Sequence, residues 1–414
     1  MHTSWKRVGN DRKIKCLPGR QERSPIVMAR LVRATYSSTC AATGGPDKPG
    51  HDERETQRRT VSEMCASRRA CPGHPRFGGG GWMAGTRLAM TERERSRPLD
   101  PFPGSPHAHG PASGTRTRID RIEAVIHRDV GRGMAPVFQA ARGGLWRAAR
   151  ALAAAEAPRI GLITGFFVPG GDPPAAETDG PAGAALLVRG FAGAGVRCRL
   201  ATDAACESAC RVALDQAGAE ATPIDAVAPE EPVDAVIERW RQDGIDWVIA
   251  IERCGPGADG RPRNMRGTDI SAHTAPLDRL FSAALWQTIA IGDGGNELGM
   301  GSVPRPVIAD NVPVGEAIGC VVPADHLIAA GVSHWGAYAV LAALALLRPD
   351  WAAAMLAGLD PDLDSAVIDA MVRDGPVVDG VTLRREQTID AMDMAVHREV
   401  MAAVRSVCVS PNNR

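Results

Sequence analysis

The stretch "QTIAIGDGGNELGMG", Gln287 to Gly301, sets an apolar run against a loop with five glycines, Asp293, Asn296 and Glu297. A short apolar run that ends in glycine and polar residues marks a strand buried on both faces. The same unit recurs on either side of it: "RIGLITGFF" (159–167), "VRCRLAT" (196–202), "DWVIAIE" (246–252) and "AIGCVVP" (317–323). With "QTIAIGD" (287–293), five strands are predicted. Ala-rich or amphipathic segments at 182–194, 204–217, 231–243 and 273–286 lie between them, each long enough for a crossover helix. The alternation implies an α/β fold, a mostly parallel sheet with helices on both faces in a Rossmann-like three-layer arrangement. From about Gly331 to Arg405 the pattern turns helical, with helices expected at 335–347, 350–358, 362–373 and 386–405.

Toward the N-terminus the pattern changes character. Residues 1–115 are rich in Arg, Gly, Pro, Ser and Thr, contain "GGGG" at 78–81, and show no helical or strand period. Such a segment is expected to be disordered, because it offers too little apolar surface to offset its ordering entropy. It reads as a non-native extension, with Met83, Met90 or Met134 as candidate starts, and residues 116–408 read as the folded domain. The acidic residues Asp47, Asp52, Glu53, Glu55, Glu63 and Glu92 argue against a transit peptide, and no apolar signal segment precedes them. Helical spacing begins with Ile119, Ile122, Ile126 and Val130.

Composition narrows the function class. Ten cysteines form no CxxC pair and no Cys-His cluster, which points to free thiols in a reducing compartment: cytoplasmic in a bacterium, the mitochondrial matrix in a eukaryote. The most apolar run, "AYAVLAALALL" (337–347), is well short of the roughly 20 residues of a membrane span. With net charge zero and few aromatic residues among its bases, the chain is expected to bind a small molecule, with neither nucleic acid nor membrane as a partner.

In an open α/β sheet, ligands bind beyond the carboxyl ends of the strands, and the Gly-rich polar segments of this chain fall there. In the loop 292–301, Gly294 and Gly295 let the backbone approach a ligand. A helix expected from Asn296 would aim free N–H groups at an anion. Asp293 at the strand end is a candidate acid, base or metal ligand, with the capping of a helix as the plainer alternative. The first loop (164–184) starts at Thr164 and ends in "ETDGPAGA", where Glu177 and Asp179 are candidate acid and base, and Thr178 or Asp179 a plausible N-cap. The third (252–271) carries Arg253 and Arg266, whose guanidinium forks suit carboxylates, together with Glu252, Asn264 and Asp269. Ser333 and His334, after the last strand, are expected to contact the substrate, with Trp335 beside His334 walling the site. "GFAGAG" (190–195) mimics a dinucleotide fingerprint but stands at a helix end, the reverse of the needed context. Cys254, or Ser333 with His334, lacks the third partner and the strand-to-helix elbow of a nucleophilic triad.

Taken together, "GFFVP", "ETDGPAGA", "NMRG", "AIGDGGNELGMG" and "GVSHWGAY" resemble, in order and over about 118–405, the D-glutamate cyclase family in its C-terminal cyclase-like domain. The resemblance implies a hydro-lyase that converts D-glutamate to 5-oxo-D-proline plus water. It allows a divalent cation, Mn²⁺ or Mg²⁺, on Asp293 and Glu297, and it allows a homo-oligomer. Where the family pattern carries an aromatic residue ahead of "NM" and an Asn after "GVS", this chain has Arg261-Pro262-Arg263 and His334. The parts so assigned are Glu177, Asp179, Asp293 and Glu297 as acids, bases or metal ligands, Arg253 and Arg266 on the α-carboxylate, and the Gly294 and Gly295 N–H groups at the tetrahedral oxyanion. Two alternatives stand beside this reading. "IGDGGNE" also resembles the metal-binding Asp motif of haloacid dehalogenase-like phosphohydrolases, although no DxDx[TV] follows the first strand, and a noncatalytic small-anion-binding domain would keep the same pocket.

Overall fold

The computed structural model describes residues 111–409, so the head lies, up to residue 110, outside the described residues. Helices α1 (Pro111–Ile126), α2 (Ala135–Ala141) and α3 (Gly144–Ala153) precede β1 (Arg159–Ile163). A short antiparallel pair, β2 (Phe167–Val168) and β3 (Ala175–Glu177), leads into α4 (Asp179–Gly193), β4 (Arg197–Asp203), α5 (Glu207–Gln216), β5 (Ile224–Val227), α6 (Asp234–Gln242) and β6 (Trp247–Ile251). Then come α7 (Leu277–Phe281), β7 (Gln287–Gly292), α8 (Arg305–Ala309), α9 (Gly315–Ile318), β8 (His326–Ala329), α10 (Ser333–Leu347), α11 (Ala352–Gly358) and α12 (Pro361–Asp374). The two-residue strands β9 (Val377–Val378), β10 (Thr388–Ile389) and β11 (Met392–Asp393) lead into α13 (Met394–Val409). No helix among the described residues is long and apolar enough to cross a membrane.

The main sheet runs β5-β4-β1-β6-β7-β8, with every neighbouring pair parallel. The chain therefore builds one side outward from β1, returns, and builds the other side from β6. The direction switches between β1 and β6, and in open α/β sheets the carboxyl ends of the strands at such a switch point are where ligands bind. Side chains alternate across the sheet as strand geometry requires. Ile160, Leu162, Ile249, Ile251, Ile289 and Ile291 enter one core with α1, α3, α4, α5 and α10, while Ile163, Val248, Ala250 and Ala290 enter a second with α2, α6 and α7. Apolar residues on both faces explain why these strands read as continuous runs. A small second sheet, β2-β3-β9, stands at the carboxyl end of the first and carries Glu177.

Four of the five predicted strands form. The fifth, 317–323, does not join the sheet: its backbone bonds loops instead, Cys320 N–H to Gly295 O (3.0 Å) and Val321 N–H to Pro256 O (3.0 Å), and its place is taken by β8. β5 was missed because its four residues include Asp225, a buried acid paired with Arg199, Arg239 and the Trp240 indole. The helix expected at 273–286 shrinks to the five residues of α7, and no helix begins at Asn296. The start of the expected helix 386–405 is instead the β10-β11 hairpin, whose turn residues Asp390 and Ala391 have φ of +55° and +60°.

Candidate active site

Each strand around the switch point delivers one polar side chain to the same place. Thr164 directly follows β1, Glu252 directly follows β6, and Asp293 directly follows β7. Glu177 closes β3, and Asp179 opens α4 two residues later. Glu177, Asp179, Glu252 and Asp293 are all buried, at 8%, 1%, 7% and 3% exposure. Glu252 adopts a φ of +43°, a left-handed conformation that costs a non-glycine residue free energy and recurs at functional sites. Asp390 joins the group from the β10-β11 turn.

The cation among these carboxylates is Arg132, from the loop between α1 and α2, whose guanidinium pairs with both Asp293 and Asp390. Asp293 Oδ2 accepts from the Ser333 N–H at the start of α10 (2.7 Å). Other oxygens have no partner although they are buried: both of Asp179, Oε2 of Glu252, Oδ2 of Asp390, and the hydroxyls of Thr164 and Ser333. A buried polar atom left unbonded is costly, so such a convergence is a site prepared for a ligand. One oxygen each of Asp179, Glu252 and Asp293 lie within 4.8 Å of one another, a spacing that suits a hard divalent cation.

Burial among like charges sets the protonation. Burial pushes the Asp293 carboxyl up to about 6, against the pull of Arg132 and with Glu297 adding to the rise. Asp390 is pushed by burial up to about 7, again against Arg132. Glu177, Asp179 and Glu252 are held well above the usual carboxylate range, first by burial and then by the neighbouring acids. The group thus holds protons near neutral pH, where exchange with a substrate is easiest.

Other expected site residues have structural tasks. Glu297 fills the anion nest of its own loop: it accepts from the N–H groups of Asp293 (2.8 Å), Gly294 (2.6 Å) and Gly295 (2.8 Å). The glycine donors expected to face an oxyanion are therefore engaged internally, as is Glu297 as an expected metal ligand. Gly295 makes this turn possible at φ +93°. Arg253 is fully buried, forked onto Asp203, and donates to Gly165 O (2.9 Å) and Ala275 O (2.7 Å), which commits it to tying loops together. Arg266 is exposed and donates to Gly380 O (3.2 Å) and Val381 O (3.1 Å). It is still tied to the site, since Gly380 lies so close to Glu177 that an added Cβ would come within 1.8 Å of Oε1. Asn264 Oδ1 bonds the N–H groups of Arg266 and Thr268, Asp269 Oδ1 bonds Ser271, and Asn296 reaches Arg263 O, all holding the 252–271 loop. Asp179 makes no capping bond. His334 turns away from Ser333 to Asp364 (2.6 Å), which also binds the Tyr338 hydroxyl (2.5 Å). Burial pushes the Cys254 thiol far above its ordinary range, which disqualifies it as a thiolate nucleophile.

The sequence reading missed Arg132 and Asp390. The one sits in "DVGRGM" (129–134), an arginine between glycines just past a helix, and the other was hidden inside a supposed helix.

A comparison of the chain with known families matches the D-glutamate cyclase-like C-terminal family over residues 122–405. The chain belongs to this family. It is also 43% identical over 107 residues to human "D-glutamate cyclase, mitochondrial", an alignment that spans 25% of this chain and 17% of the human protein. The matched family region includes every residue of the buried acidic group and Arg132.

Proposed function

We propose that the chain is a lyase that closes D-glutamate, or a closely similar amino acid, into the five-membered lactam 5-oxo-D-proline with release of water. The observation that carries this reading is the group of buried, proton-holding carboxylates at the switch point, with the oxygens of Asp179 and Glu252 left unbonded. Family membership supports it.

The reaction places demands that these residues meet. The substrate nitrogen must shed two protons as it bonds the carbon of the γ-carboxylate, Cδ, and one oxygen of that carboxylate must collect two protons to leave as water. Asp179 and Glu252, with the Thr164 and Ser333 hydroxyls, form an acceptor-rich cradle for the ammonium group. Asp293 would take one proton from nitrogen and Glu177, whose carboxyl is pushed up by burial, would give one to the departing oxygen; the reverse exchange delivers the second proton and restores both groups. Holding the substrate folded with its nitrogen near the γ-carboxylate carbon contributes several kcal/mol, within the roughly 7–11 kcal/mol that orientation can supply. Asp179, Glu252 and Asp293 would also hold Mn²⁺ or Mg²⁺, because one oxygen of each lies within 4.8 Å of the others, and both oxygens of Asp179 and one of Glu252 are unbonded. Such an ion would supply Lewis-acid polarisation of the γ-carboxylate.

The phosphohydrolase reading needs a nucleophilic Asp at the end of β1, where Thr164 stands. The test is incubation of the chain with D- and L-glutamate, with and without Mn²⁺ or Mg²⁺, followed by NMR. Lactam from the D-enantiomer is expected. Binding of D-glutamate without lactam would leave a noncatalytic binding domain, and hydrolysis of an aryl phosphate instead would favour the phosphohydrolase.

A further inference from the structure

We propose that Arg132 is the residue that recognises the α-carboxylate of the substrate, and that Asp390 is a resident counter-ion which the substrate displaces. The inference rests on the reading above, that the substrate is a glutamate-like amino acid.

Lactam closure treats the two substrate carboxylates differently. The γ-carboxylate loses its charge during the reaction, whereas the α-carboxylate remains an anion throughout. An anion entering a group of buried acids needs a cation that cannot be neutralised, and a guanidinium meets that need. The field of Arg132 reaches Glu177 and Asp179 as well as its two bonded partners. The arginines that the sequence suggested for this task are committed elsewhere, Arg253 to Asp203 and two backbone carbonyls and Arg266 to the turn at Gly380.

Placement and anchoring fit the same role. The Arg132 side chain keeps 16% exposure while Asp293 and Asp390 keep 4% each, so the cation is the most accessible member of the trio. Its backbone is fixed by Asp129, whose Oδ1 accepts from the N–H groups of Gly131 (2.8 Å) and Arg132 (3.2 Å). Its two bonded partners come from separate segments, Asp293 behind β7 and Asp390 in the β10-β11 turn. Releasing one leaves the other in place. Asp390 is the one suited to leave, because it sits in a two-residue turn at positive φ and its Oδ2 has no partner. Burial, which raises its carboxyl to about 7, lets it take up a proton once the guanidinium turns to the substrate.

Steady-state kinetics of the full chain with D-glutamate and with D-isoglutamine, its α-carboxamide, test the assignment. Removing a buried charge-assisted pair costs about 30-fold or more in binding, so Arg132→Gln should raise KM for D-glutamate at least that much. Because Arg132 also pairs with Asp293, turnover of both compounds should fall, but kcat/KM for D-glutamate should fall about tenfold or more beyond that for the carboxamide. Asp390→Asn, which removes the competitor but keeps the fold, should lower KM for D-glutamate severalfold. If a folded Arg132→Gln protein discriminates between the two compounds as well as the unaltered chain does, the assignment is wrong. Should Arg132→Gln fail to fold, an unchanged KM in Asp390→Asn overturns it equally. Absence of lactam from the unaltered chain would sink the proposed function, and the assignment with it, whereas lactam formation without the KM shifts sinks the assignment alone.

Discussion

Asp293 touches three parts of the site at once: Arg132, the Ser333 N–H and, through its own N–H, Glu297. Replacing it with Asn keeps the size and an acceptor for Ser333 while it removes the charge. We expect Asp293→Asn to lower kcat by about a hundredfold or more, with the melting temperature nearly unchanged, as for loss of an acid-base group. Near-normal turnover, or inactivity explained by early melting, would reduce Asp293 to a structural role. A sharper steric test lies at Gly380, where a Cβ would come within 1.8 Å of Glu177 Oε1. Gly380→Ala must push Glu177 aside, so turnover should fall at least tenfold while far-ultraviolet circular dichroism stays that of the folded chain. Retained turnover would show that the position of Glu177 is not critical.

At the scale of elements, the strands that carry the site were legible and the pieces that complete it were not. β1, β6 and β7 are buried on both faces, so their apolar runs and the glycine-rich loops behind them stand out in the sequence. Thr164, Glu177, Asp179, Glu252 and Asp293, which the fold brings together, are the candidates that stand out in this way. The β10-β11 hairpin was not: strands of two residues carry no period, and the following α13 lent its helical pattern to them. The arginines show the same limit, since sequence cannot tell a cation aimed at a ligand from one committed to a distant partner such as Asp203. Arg253 gives the element-scale prediction. It bonds Asp203 at the end of β4 and the carbonyls of Gly165 and Ala275, so Arg253→Met strands a buried carboxylate and frees three segments. Breaking a buried pair from one side costs about 3–5 kcal/mol, which chemical denaturation would detect. A change below about 1 kcal/mol would mean that the loops hold without it.

Across the whole molecule, the buried acids couple stability to pH. Glu177, Asp179, Glu252, Asp293 and Asp390 all bind protons more tightly in the folded chain than the roughly pH 4 at which carboxyls titrate when unfolded. Between about pH 4 and 7 the folded state therefore holds more protons than the unfolded state, and stability falls as pH rises through that window. Melting temperatures of the free chain should decline from pH 5 to pH 8. If Asp179, Glu252 and Asp293 hold a divalent cation, added Mn²⁺ should recover more of that loss at pH 8 than at pH 5, because proton and metal compete for the same oxygens. A melting temperature that is flat with pH would contradict the proton-holding group on which the proposed chemistry depends. In the proposed reaction one substrate molecule loses water while its nitrogen enters a ring, and mass spectrometry of ¹⁵N-labelled D-glutamate incubated with the chain reads both events at once. A product lighter by one water that retains the ¹⁵N, with no labelled ammonium released, is expected; labelled ammonium, or substrate recovered unchanged under every metal condition, would overturn the proposed chemistry.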